Sequence, residues 1–350
     1  MSAKSAEYAT FGLAPAMRPG GVLPTGAYQI HRDFLDFSID GRPLLLQLAD
    51  LDAVSPLAAD LGPSLFAAQV RRLLLEDGPA PDGGRRVIYG CPECEGPACG
   101  AVTAVIERDG TDFVWRDFAW QTDDIVDLRR NGYTGIGPFR FEGAQYRSVL
   151  EQLLTSDAAG PARPARRVLL IGRRAAVLTK LAAALRGTGI GAEITRDATG
   201  AAPDELRSYG AVALGRGVGD AERAAVRQAF ADAGSAAVVV DGLAPIVPLL
   251  VAQIEQALDR CPQGERRLLR LAAERGTATL TVAIPCRVRL TGYRLDRLYR
   301  TRTTELFDGQ LEAGEHRLGL AGPAGEAFVV ARTTGGVLVA PVDGDGTGGR

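Results

Sequence analysis

Arg167-Val168-Leu169-Leu170-Ile171-Gly172-Arg173-Arg174, followed by the alanine-rich run 175–186, decides how the middle of this chain is read. Four apolar residues closed by a glycine suit a strand buried on both faces, and the run after them has helical composition, stopped at Gly187. The alternation continues with a strand at 192–195, a helix at 203–207, a strand at 211–214, a helix at 220–233, a strand at 236–241 and a helix at 248–258. Near-continuous apolar strands separated by helices predict a parallel sheet covered on both sides.

In such sheets, ligands sit beyond the C-terminal strand ends, where unpaired helix N–H groups attract anions. The candidates there are Gly172, Arg173, Asp197, Gly215, Arg216, Gly217 and Asp241. Asp197 ends the second strand, the place where a dinucleotide-binding domain keeps its ribose acid. The first loop, however, offers only Gly172 where the dinucleotide fingerprint wants three glycines, and two arginines fill the space of a pyrophosphate. NAD(P) or another nucleotide is therefore the minority expectation, behind a scaffolding sheet. Residues 215–218 and 241–253 resemble a Rossmann-like module of uncharacterised bacterial proteins, spanning 166–260 and implying a fold but no catalytic residue.

Upstream, Cys91-Pro92-Glu93-Cys94-Glu95-Gly96-Pro97-Ala98-Cys99 packs three of the five cysteines into nine residues. A Cys-x-x-Cys turn can direct two sulfurs at one ion, and Cys99 can return as a third ligand, so a structural zinc knuckle is expected at Cys91, Cys94 and Cys99. His31, Glu93, Glu95 and Asp117 are candidates for the fourth ligand. An open catalytic zinc, a redox thiol pair and plain reduced cysteines are the competing readings.

Around this stretch, residues 1–27 read as a flexible lead-in and 28–155 as an α+β cysteine-knuckle domain. Its elements are a strand near 34–39 turning at Asp40-Gly41 into Leu44-Leu45-Leu46, a helix at 64–75 capped by Ser64, a hairpin about Asp109-Gly110 and a closing helix at 142–154. Residues 89–94, 99–103, 114–118 and 137–141 resemble a family of uncharacterised actinobacterial proteins, some labelled oxidoreductases. That likeness covers most of 30–150 and implies no agreed activity; Glu95 departs from it, standing where a glycine is expected.

After a linker at 156–165 and the parallel-sheet domain at 166–260, the period changes to two. Short strands with glycine-containing turns over 272–342 predict a β-sandwich, and 343–350 a disordered tail. Leu306-Phe307-Asp308-Gly309 and Ala313-Gly314-Glu315-His316 resemble immunoglobulin-like modules of bacterial secreted proteins. The fold class is thus multidomain: α+β, Rossmann-like α/β and all-β.

Composition limits the function. A net charge of −2 points away from a polyanionic partner. Arginine is abundant while Lys4 and Lys180 are the only lysines, so the arginines at 287–302 read as a solvated strand face, and nucleic acid is disfavoured. No secretory leader or bilayer-spanning run is read, and bunched cysteines suit a reducing compartment, so the expectation is cytoplasmic with no membrane partner. With only His31 and His316, no serine–histidine–acid set can be built. The leading expectation is a bacterial binding or scaffold protein with structural zinc, taking an unknown protein partner or a small anionic ligand. The alternative is a nicotinamide- or flavin-linked oxidoreductase using the sheet crevice.

Overall fold

The computed structural model describes residues 8–23, 25–48, 51–58, 61–77, 84–93, 99–123, 125–155, 166–259, 261–320 and 327–343. The chain divides into two compact units, Met1–Arg18 with Arg32–Arg163, and Pro19–His31 with Pro164–Arg350. The expected linker at 156–165 and the tail from 344 lie outside the described residues.

The first unit begins with β1 (Phe11–Arg18), a strand where the sequence suggested a flexible lead-in. The intervening β2 (Gly21–Val22) and β3 (Tyr28–Gln29) belong to the second unit. On its return the chain forms β4 (Arg32–Ile39), which pairs antiparallel with β1 along its whole length. β1 lacks a strong alternating pattern because Gly12, Ala14, Pro15 and Ala16 hide it; its register on β4 supplies the order that its own residues do not.

Asp40 and Gly41 both take positive φ, the requirement of a tight two-residue hairpin turn into β5 (Arg42–Pro43). The apolar run expected to continue as strand instead forms α1 (Leu44–Gln47). Helix α2 (Pro63–Leu73) starts with proline in its first turn, and Gly62, not Ser64, is the cap. Strands β6 (Arg85–Gly90), β7 (Ala101–Asp109) and β8 (Asp112–Gln121) follow, with β7 and β8 joined across Gly110 at positive φ. The short α3 (Leu128–Asn131) is capped by the Asp127 carboxylate. β9 (Phe139–Phe141) then completes the sheet β6-β7-β8-β9, and α4 (Gly143–Thr155) closes the unit. Phe11, Phe37, Trp115, Phe141 and Tyr146 form a connected aromatic cluster at its centre. Trp115 and Phe118 are therefore core residues.

The second unit contains β10 (Arg167–Ile171), α5 (Ala175–Gly187), β11 (Gly191–Thr195), α6 (Pro203–Arg207), β12 (Ala211–Leu214), α7 (Asp220–Asp232), β13 (Val238–Asp241) and α8 (Val247–Leu258). The strands pair in parallel in the order β11-β10-β12-β13. Along β10 the faces alternate: Val168 and Leu170 pack with α5 and α8, while Leu169 and Ile171 pack with α6 and α7. Helix α5 keeps Gly187 as its last helical residue and closes in a Schellman turn, with Gly189 at positive φ and Ile190 N–H bonding back to the Leu185 carbonyl.

Strands β14 (Leu268–Glu274), β15 (Thr277–Val282), β16 (Cys286–Leu295), β17 (Thr301–Leu311), β18 (Gly314–Gly319), β19 (Ala327–Thr333) and β20 (Gly336–Asp343) make one sheet in the order β17-β16-β19-β20-β14-β15-β18. Its two edge strands follow one another in sequence with only Glu312 and Ala313 between them, so the sheet must curl to bring them together. A single curled sheet thereby encloses an apolar core of Leu268, Leu280, Leu290, Val329 and their neighbours, where two facing sheets were expected. β17 continues through Asp308-Gly309 without a turn, with the Phe307 ring lying over the Cβ-less Gly309.

Helix α8 is apolar on all sides but one. Val251 and Ile254 face the parallel sheet, Leu249 and Ala252 face Phe328, Val330 and Val337 of the curled sheet, and Glu255 is wholly buried. The Glu255 carboxylate accepts from Gly20 N–H at 2.9 Å and meets His31 Nδ1 at 2.5 Å. Arg332 donates to the Gly20 carbonyl at 2.6 Å. Segment 19–31 is thus fixed into the second unit by buried polar contacts.

Candidate functional site

The order β11-β10-β12-β13 has one reversal: the chain steps from β10 outward to β11, then crosses back to lay β12 on the other side of β10. At this switch point the loops after β10 and β12 diverge, the place where an open parallel sheet usually takes its ligand. Gly172 and Gly215 floor it. A Cβ on Gly215 would lie 3.5 Å from the Gly172 Cα, so the two backbones approach without side chains between them.

Helix α5 opens at this floor. It has no acidic residue in its first turn and no side-chain cap, so its N-terminal N–H groups are left for solvent or an anion. Helix α7, entering from the other loop, has Asp220 and Glu222 in its first turn and is already supplied with negative charge. The α5 end is the one suited to phosphate.

Several of the expected residues come together here. Arg173 lays its stem against Gly217 and reaches Glu222 at 3.5 Å, an exposed and weak pairing. Arg216 is exposed in the same turn as Gly217. Asp241, at the end of β13, is held by Arg223 and by Arg227, the latter at 2.8 Å. Asp197 is turned on its own backbone: its Oδ1 accepts from the Thr199 N–H at 2.8 Å and from the Thr199 hydroxyl at 2.7 Å. These two bonds hold its carboxyl below the usual range.

Arg223 was not among the expected residues. From the second turn of α7 it donates to the Val218 carbonyl at 3.0 Å and to the Gly215 carbonyl at 2.8 Å, besides pairing with Asp241. It therefore fixes the turn that follows β12 to the end of β13. An arginine three residues into a helix that follows a glycine-rich strand end is the sequence signal for such a clamp.

The metal reading is overturned. Among the described residues, no group of three or more His, Cys, Asp or Glu is placed to hold a metal ion. Cys94 and Glu95 lie outside the described residues; Cys91 is half-buried and Cys99 exposed. The other acids and the histidine expected to complete the site are engaged elsewhere: Glu93 with Arg18 at 2.7 Å, Asp117 with Arg116, and His31 with Glu255. Guanidinium groups have taken carboxylate oxygens, and the Glu255 carboxylate a ring nitrogen, that a zinc ion would need. The structural zinc and the metal-stapled scaffold built on it are withdrawn.

Among the described residues, no helix is long and apolar enough to cross a membrane. No protein-family model, curated protein or solved structure matches the chain.

Proposed function

We propose that the parallel sheet binds a phosphate-bearing nucleotide of the flavin or nicotinamide class at the β10–β12 switch point, and that the chain acts as an oxidoreductase. The observation that carries this reading is the facing pair Gly172 and Gly215 beneath the uncapped N-terminus of α5. A strand order with the second strand outside the first, then the third and fourth, is the flavodoxin-like arrangement, whose mononucleotide phosphate sits between the first and third strands.

The residues fit a single phosphate group better than a dinucleotide. One glycine stands where the dinucleotide fingerprint needs three, and the Asp197 carboxylate is committed to Thr199. In this reading the α5 N–H groups and Arg173 hold the phosphate, exchanging the exposed Glu222 contact for it, and Arg223 keeps the turn at Gly215 in place. The nucleotide, when bound, supplies the redox-active ring.

Thermal unfolding of the intact chain with flavin mononucleotide, NAD(H) and NADP(H) tests the reading, since a ligand that binds only the folded state raises Tm by mass action. The expected result is a rise with one of these, lost in Gly172→Ala and in Gly215→Ala made singly. Each methyl group alone meets only ordinary contacts of 3.4 Å or more, so each single variant should keep its own Tm. No rise at millimolar ligand overturns the proposal.

A further inference from the structure

The β16–β17 hairpin ends in the loop Asp296-Arg297-Leu298-Tyr299-Arg300, whose five residues belong to no hydrophobic core cluster, although Leu295 just before them packs on one. Leu298 and Tyr299 are 69% and 79% exposed and adjacent in this loop. Such exposure in a loop is often accompanied by looseness, yet this loop is tightly made. The Asp296 carboxylate accepts from the N–H groups of Leu298 and Arg300, each at 2.9 Å, and from Arg302 Nε at 3.1 Å. The Asp296 N–H bonds to the Arg300 carbonyl at 3.0 Å, and Tyr299 N–H to the Asp296 carbonyl at 2.9 Å.

Two features work against stability. Tyr299 sits at φ 57°, a left-handed conformation that glycine adopts freely and a bulky side chain does not. Arg294 lies directly opposite Arg302 in the antiparallel register, a like-charge pairing that disfavours the hairpin. Arg294, Arg297 and Arg300 form no salt bridge among the described residues. Strain on an outward-facing aromatic, together with repulsion kept at the base of its loop, marks a surface shaped for something outside the fold.

The geometry points to an anionic lipid surface as that partner: we propose that Leu298 and Tyr299 insert at the headgroup level of a bilayer while Arg294, Arg297, Arg300 and Arg302 contact acidic headgroups. A tyrosine buries roughly 200 Å² and the leucine beside it less, so the pair offers half or less of the roughly 800 Å² a side that a stable protein interface needs. A membrane sets no such minimum. It accepts a small apolar tip, and each basic residue near an acidic surface adds to the attraction. The contact is peripheral and involves no spanning segment.

The test is co-sedimentation of the intact protein with phosphatidylcholine vesicles, with and without phosphatidylglycerol. Binding is expected only with the acidic lipid, weakening as salt is raised. Arg297→Gln and Arg300→Gln should each lower the partition coefficient about fivefold, and Leu298→Asp/Tyr299→Asp should abolish binding, with no loss of thermal stability because all four side chains are exposed. Tyr299→Gly separates loop integrity from contact: it relieves the positive φ and should raise Tm while weakening binding. Absence of vesicle binding, or binding indifferent to the acidic lipid or to Leu298→Asp/Tyr299→Asp, overturns the proposal. So does salt-sensitive capture of single-stranded DNA through the same four arginines without vesicle binding, which assigns the tip to nucleic acid instead.

Discussion

His31 Nδ1 lies 2.5 Å from Glu255 Oε2, with both side chains buried, although 224 residues separate them in sequence. The contact joins segment 19–31 to the third turn of α8 and leaves neither group access to water. Removing one partner strands the other without its bond, so Glu255→Ala should cost roughly 3–5 kcal/mol. His31→Ala should cost a similar amount and the double variant less than the sum, because the two groups share one interaction. Urea unfolding followed by circular dichroism measures all three; additive losses would show that the pair is not coupled.

Asp112 contributes to the pH dependence of the first unit. The Tyr8 hydroxyl, then Arg140 and the Gly143 N–H, hold its carboxyl below the usual range against the opposing effect of desolvation. A folded-state value below the unfolded one means that the carboxylate stabilises the fold above the ordinary aspartate range of about 4 and loses that contribution as pH falls through its lower folded value. Asp112→Asn should therefore lower stability at neutral pH and flatten the acid limb of the stability profile. Trp115 and Trp120, the chain's 2 tryptophans, both lie in this unit, so intrinsic fluorescence follows its unfolding alone. An unchanged acid limb in the variant refutes the assignment.

A backbone approach sets a different limit at Gly143. A Cβ there would lie 1.8 Å from the Thr111 carbonyl oxygen, which belongs to the turn between β7 and β8 and has no rotamer with which to yield. Gly143→Ala should cost about 3 kcal/mol, at the upper end of overpacking, while Gly135→Ala, with nothing within 4 Å, should be nearly neutral. Thermal unfolding of the two variants side by side gives the comparison.

These residues also separate what was legible in the sequence from what was not. β10, β12 and α5 could be read because strands buried on both faces need unbroken apolar runs, and the helices between them need one apolar side; both patterns are local. The turns at Asp40-Gly41 and Asp109-Gly110 could be read because positive φ selects glycine and its neighbours. Segment 19–31 could not, since its glycines and prolines look like a lead-in until a helix more than two hundred residues later approaches them. The one available signal was Glu255, the only charged residue in the apolar run 247–258, which needs a buried partner but does not name it. Leu44-Leu45-Leu46 was misread as strand because three apolar residues carry no period. At the crevice, Gly172, Gly215 and Asp241 were legible from strand ends, whereas the commitment of Asp241 to Arg223 and Arg227 depends on how α7 lies across the sheet.

Arg223 joins these observations at the proposed nucleotide site. Its guanidinium holds two carbonyls of the Gly215 turn and the Asp241 carboxylate at once, a task that needs a planar group with donors in several directions. Lysine can place one charge near Asp241 but cannot serve both carbonyls along with it. Arg223→Ala should cost roughly 2 kcal/mol, the value of hydrogen bonds to a charged group that is mostly buried. Arg223→Lys should recover less than half of that. Because the released turn forms one wall of the crevice, nucleotide affinity should fall about tenfold in both variants, with the lysine giving no rescue. Calorimetric titration with whichever nucleotide raises Tm reads the affinity directly. Full affinity in Arg223→Lys would mean that the turn needs only a positive charge and that the fork geometry is immaterial to the site.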